Sequence, residues 1–175
     1  IWDTWYVPYV KGYFSSYGRF RSDDVKIGEI ISYTGSTTSA MYFPDEVELE
    51  DETYPIDYII LPAAVFEGGE AYAVQQGAGM VVTASDRQRE YACTEFLKWF
   101  TQSENNLVFG CASGYLPVKK DANSKEVLDK VIQEKDLDVV PKTFDTLIAA
   151  FDTVNSSIMY TNTVSYTHLR AHETE

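Results

Sequence analysis

Helical periodicity concentrated in the second half of the chain constrains the fold most. Ala92, Phe96, Trp99 and Phe100 fall at i, i+4, i+7 and i+8, one apolar stripe of an α-helix facing a core. Ser85 with Gln88 predicts a capping box at the start of that helix. Ser103 is placed to cap a second, shorter helix through Leu107, Val108 and Phe109, and Gly114 fits its stop. Tyr115, Leu116, Pro117 and Val118 then leave in extended form. Ser124 precedes Val127, Leu128, Val131 and Ile132, and Pro141 opens a last amphipathic helix with Phe144, Leu147, Ile148 and Phe151.

The first half reads differently. Val25 to Tyr33 predicts a strand after a turn, and Ile56 to Leu61 is a short β-rich run ending at Pro62. Ala71 to Val74 and Met80 to Thr83 read as extended segments around Gln75, Gln76, Gly77, Ala78 and Gly79. Strands alternating with helices give an α/β class. Trp2, Trp5, Tyr6, Tyr9 and Tyr13 recur at helical spacing around Pro8. That stripe suits core packing or, less commonly, a sugar-stacking platform. Gly35, Ser36, Thr37, Thr38 and Ser39 form a small polar loop before Ala40 to Phe43. Its hydroxyls and N–H groups can cap a helix or hold a polar ligand.

Composition narrows the function. The 175 residues carry 27 acids and 14 bases, a net charge of −13, which argues against nucleic acid and anionic lipid as partners. A hydrophobic fraction of 45% is too high for a disordered chain. No apolar run approaches the ~18 residues of a membrane span. Six acids between Asp45 and Glu52 lack the glycine and alternation of a calcium loop and read as a solvated surface loop. Cys93 and Cys111 lie on adjacent predicted helices. Cys93, on the apolar side of its helix, is expected to be a buried free thiol rather than half of a disulfide.

Residues 164–175, VSYTHLRAHETE, show no apolar period and resemble a translated sequencing adapter. They are expected to be an artefactual or disordered tail. His168 and His172 both lie there, so their metal-like i, i+4 spacing is read as accidental. The remaining chain has no histidine and a net charge of −12. Histidine-based nucleophilic dyads and zinc sites are thereby removed from consideration.

From Val74 to Val118 three motifs follow in order: Gly77-Ala78-Gly79-Met80; a helix with Glu90, Ala92, Glu95, Phe96, Leu97, Lys98 and Trp99; and Gly114-Tyr115-x-Pro117-Val118. This order resembles the extracellular solute-binding proteins of bacterial ABC importers, the sugar-binding family related to maltose-binding protein. Gly28 to Gly35 resembles the family's strand leading to a glycine at the cleft, and Ile59-Ile60-Leu61-Pro62 its strand ending in Leu-Pro. The resemblance spans roughly Trp2 to Asn155. It implies a periplasmic-binding-protein-like, two-lobe type II α/β fold, incomplete here. Residues 1–163 would form part of the C-terminal lobe and returning segments of the N-terminal lobe. The segment near Ala71 to Val82 would cross between lobes, and the helix from Asp86 would pack on the first lobe.

By the same resemblance Gly35, Ser36 and Thr37 match the cleft-facing loop, Gln76, Gly77 and Gly79 the crossing strand, and Tyr115 a tyrosine at the cleft mouth. A structural role for each stays open beside ligand contact. The implied function is extracytoplasmic capture of a small solute, a sugar by preference, for ABC permease subunits. The protein would act as a monomer with no enzymatic activity, cofactor or metal, and would touch the membrane only through a lipid anchor in a missing N-terminus. The alternative reading is a glycoside hydrolase, which needs two carboxylates flanking the scissile bond, or another carbohydrate-active surface protein.

Overall fold

The computed structural model describes residues 1–161. The expected tail over 164–175, with His168 and His172, lies outside the described residues.

Four longer helices follow one another in the second half, and the last three of them build the main core. They are α3 (Arg87–Phe100), α4 (Ser103–Ser113), α5 (Lys125–Lys135) and α6 (Pro141–Ser156), after two short ones, α1 (Val7–Val10) and α2 (Arg21–Lys26). Leu107 and Cys111 of α4, Leu128 and Val131 of α5, and Leu147 and Phe151 of α6 form one buried cluster with Ala122. Leu128, Val131, Leu147 and Phe151 are positions that amphipathic spacing placed on one face, whereas Cys111 and Ala122 were not expected there. Three of the end signals also hold, but Ser103 is not a cap: it is the first residue of α4, after Gln102 at the cap position, where no side chain bonds the helix amides. Ser124 Oγ accepts from the Val127 amide (3.3 Å), Pro141 stands at the start of α6, and Gly114 closes α4 at φ +73°.

Helix α3 corrects three expectations. Its cap is Asp86, not Ser85: the Gln88 and Arg89 amides donate to the Asp86 carboxylate at 3.1 and 2.9 Å, while the Ser85 amide donates to Glu90 Oε1 at 2.8 Å. A full negative charge beside the positive end of the helix outcompetes a neutral hydroxyl. Its apolar stripe is not in a core. Phe96 is 51% and Trp99 53% exposed, and Cys93, expected to be buried, is exposed.

The strand expected over Val25–Tyr33 is absent. Helix α2 runs to Lys26 and ends in a Schellman motif, with the Glu29 amide donating to Asp24 O and the Gly28 amide to Val25 O, both 2.9 Å. Gly28, at φ +76°, is therefore a helix stop and not a strand residue. The buried Asp24 carboxylate anchors this turn, accepting from the Tyr17 and Gly18 amides and pairing with Arg21 at 2.6 Å. Ile56–Leu61 is likewise not a strand, and Ile59 and Leu61 are exposed.

Two small sheets complete the described fold. β1 (Glu46–Glu48) and β2 (Thr53–Pro55) form an antiparallel hairpin with Val47 opposite Tyr54. The acidic run is thus solvated as expected but is a hairpin rather than a loop, and it buries Val47. β3 (Tyr72–Gln75) pairs in parallel with β4 (Ile158–Thr161), Tyr72 opposite Ile158. The return through α3–α6 gives the α/β character. Met80–Thr83 joins no sheet. At the N-terminus a π-helical turn (Trp2–Tyr6) runs into α1, and its rings stay exposed: Trp2 stacks on Tyr6 at 4.4 Å and Trp5 lies 5.7 Å from Phe14. The expected core role of that stripe is not seen among the described residues.

Both cysteines are free, and burial pushes the Cys111 thiol upward. A thiol reagent at about pH 8 should label Cys93 quickly and Cys111 only after denaturation. Equal labelling rates in native buffer would show the arrangement to be wrong.

Candidate functional site

The polar loop singled out in the sequence packs against Gly114, the residue that precedes Tyr115. Ser36 stands in extended backbone before a 3₁₀ segment, Thr37–Tyr42, which packs against α6. Ser36 Oγ lies 2.9 Å from Thr38 Oγ1 and 3.3 Å from Ser39 Oγ, so three hydroxyls share one network. The Tyr33 hydroxyl donates to Ser39 O at 3.2 Å, and burial pushes that phenol above its ordinary range, keeping it a donor. Gly35 allows the closing of the loop: a Cβ there would lie 2.6 Å from Ser39 Oγ.

Gly114 joins the loop to Tyr115. A Cβ at Gly114 would stand 3.0 Å from Thr37 O and 3.1 Å from Thr38 Cα, and its φ is already in the left-handed region. Only glycine satisfies both demands at little cost. Tyr115 follows directly, its ring 5.9 Å from Phe109 and half-exposed. Beneath it Gly110 lets Tyr115 O come within 2.6 Å of where a Cβ would be.

Three asparagines fix the segment that carries Tyr115. Buried Asn106 accepts from the Val118 amide at 2.8 Å. Asn123 Nδ2 donates to Pro117 O (3.1 Å) and Lys119 O (2.8 Å), and Asn155 Nδ2 donates to Asn123 O (3.0 Å). A buried amide that satisfies loop carbonyls holds the loop without a sheet.

Lys142 anchors the far end of the 3₁₀ segment. Its residue exposure is 7%, and its ammonium donates to Phe43 O at 2.8 Å and pairs with the Asp45 carboxylate. It also lies 5.8 Å and 5.6 Å from the centres of the Phe43 and Tyr58 rings. The Tyr58 hydroxyl donates to Asp145 at 3.3 Å. Desolvation, reinforced by the Asp145 and Asp45 charges, raises its pKa. A lysine in the first turn of a helix opposes the helix dipole. That misplacement was the available signal for Lys142, and it was missed.

The assembled surface offers hydroxyl donors and acceptors, one half-exposed aromatic ring and a rigid backing. The family model described as bacterial extracellular solute-binding protein matches residues 1–135. The chain belongs to this family. No curated protein matches it, and no solved structure does. The family binds small solutes outside the cytoplasm, works with ABC transporters and is in general non-enzymatic.

In this solute-binding protein the other expected contacts stand apart from the hydroxyl loop. A Cβ at Gly77 or Gly79 would meet nothing within 4 Å, and Gln76 is exposed past the end of β3. Among the described residues no cluster of His, Cys, Asp and Glu could hold a metal ion, and no helix is long and apolar enough to cross a membrane.

Two variants test the geometry. Gly12 shares the left-handed φ but has open space around it. Gly12→Ala should therefore cost about 1 kcal/mol in urea unfolding, and Gly114→Ala at least about twice that because the Thr37–Thr38 backbone is in the way. Lys142→Met should cost about 1–3 kcal/mol through the unpaired Phe43 carbonyl and lost ring contacts. Asp45→Asn should cost less than about 1 kcal/mol, because that carboxylate is 88% exposed. The reverse order would mean that the ion pair, not the burial of the ammonium, holds the segment.

Proposed function

We propose that this protein captures a sugar or closely related neutral solute between two lobes and hands it to the permease of an ABC importer. The observation that carries this reading is the close approach of the Thr37–Thr38 backbone, beside the Ser36, Thr38 and Ser39 hydroxyl network, to Gly114, the residue before Tyr115. Sugars are held by in-plane hydrogen bonds to hydroxyls and by an apolar ring face, and the loop hydroxyls and the half-exposed Tyr115 ring supply both kinds of group. Gly35, Ser36, Thr37 and Tyr115 form one wall. Gln76, Gly77 and Gly79 serve on the segment that crosses between lobes, a role supported by the parallel pairing of β3 with β4 beside them.

The two-lobe type II arrangement is part of the same proposal, with residues 1–163 contributing to both lobes. The exposed stripe of α3 supports it, since Phe96 and Trp99 offer an apolar face of the kind an opposing lobe covers. The protein works as a monomer that closes on its solute by hinge motion. A lipid anchor is the expected means of holding it at the membrane.

A thermal-shift screen of mono- and oligosaccharides tests the reading. A sugar present at a hundredfold excess over its Kd stabilises by about 2.7 kcal/mol, a rise of several degrees for a chain of this size. Tyr115→Ala and Thr37→Val should abolish most of that rise while leaving the sugar-free melting temperature nearly unchanged. A sugar-dependent rise that survives both substitutions would place the solute elsewhere.

A further inference from the structure

Tyr33 lies two residues before Gly35 and is not among the side chains assigned to the solute. Its hydroxyl donates to Ser39 O at 3.2 Å, and the Ser39 amide donates to Ser36 O at 2.9 Å. Ser39 is thus held at both its carbonyl and its amide. Its Oγ stands 3.3 Å from Ser36 Oγ, which also meets Thr38 Oγ1. Ser36 is therefore the shared member of the three-hydroxyl network.

The ring of Tyr33 backs the same loop. It stacks on Phe43 with centroids 5.9 Å apart and planes 26° from parallel. Phe43 closes the 3₁₀ segment, and its carbonyl is the one that Lys142 takes. Tyr33 Cε2 also lies 3.3 Å from where a Cβ on Gly35 would be. One side chain therefore touches the loop at its start, its middle and its end. Tyr33 and Ser39 are half-buried while Ser36 is exposed, so the phenol supports the loop from beneath and leaves its outer side to solvent. A serine or threonine hydroxyl rotates freely and can donate or accept. Three such groups present one pattern only when the backbone under them keeps their spacing. We propose, on the strength of the solute's placement at this loop, that Tyr33 is a positioning residue: through Ser39 it fixes the spacing of the hydroxyls that receive the solute.

Amide hydrogen exchange on the full chain tests this without a solute. Tyr33→Phe keeps the ring on Phe43 and removes only the hydroxyl. Exchange at the Ser39 amide should rise about fivefold, the factor that one neutral hydrogen bond governs, while the amides of α5 keep their rates. Unchanged exchange at Ser39 overturns the proposal. So does an equal rise in α5, which would make Tyr33 a stabiliser of the whole fold. Calorimetric titration with maltose as the probe reads the effect on binding. Tyr33→Phe should weaken it about fivefold at a nearly unchanged melting temperature, but less than twofold in a Ser36→Ala background, where the shared hydroxyl is already gone. Equal weakening in both backgrounds overturns the proposal, because Tyr33 would then act apart from the network. If the unsubstituted protein does not bind maltose, the reading of that sugar as solute fails, and the exchange at Ser39 still decides whether Tyr33 orders the hydroxyls.

Discussion

A single ammonium group withdrawn from water ties the two halves of this chain together. Lys142 belongs to the helical half, yet its donors are spent on Phe43 and Asp45, ninety-nine and ninety-seven residues away in sequence. The desolvation of a lysine is costly, so the arrangement persists only because a carbonyl and two ring faces replace the lost water. The 3₁₀ segment that carries the site hydroxyls ends at this clamp and begins at the Gly114 contact. Fixed at both ends, it presents Ser36, Thr37 and Thr38 on a surface with little freedom to rearrange.

The second half of the fold was legible because its signals are local. Stripes at helical spacing, a serine cap at Ser124, a proline at 141 and a glycine stop at 114 each follow from contacts within one or two turns. The first half was not. Gly28 lies in a β-branched, apolar context that suggests extension, but the Asp24 carboxylate upstream stabilises a helical turn that the glycine then closes. Ile56–Leu61 has the composition of a strand, but a strand needs a neighbour, and none pairs with it among the described residues. Composition predicts willingness to extend; pairing decides it.

The candidate site divides along the same line. The loop at Gly35–Thr37 and the ring at Tyr115 were visible as residue types suited to a polyol. The packing of that loop on Gly114, next to the ring, was not, because it depends on the close approach of two backbones at a glycine. Lys142, Asn106 and Asn123 were missed altogether. Each works by satisfying a distant or non-helical backbone group, a role that leaves no periodic mark in the sequence.

The parallel pairing of β3 with β4 has a consequence for how the chain folds. Ala71 O accepts from the Ile158 amide at 2.7 Å, so the entire helical segment lies inside the loop that this pair closes. Closing so long a loop is entropically slow, whereas α4, α5 and α6 find one another through short connections. Loop-closure entropy thus favours a folding order in which the helical core precedes the pair. By the same reasoning its amides are expected to exchange with solvent before those of the helical core, so the strand ending at Gln75 is where the fold has least to hold it.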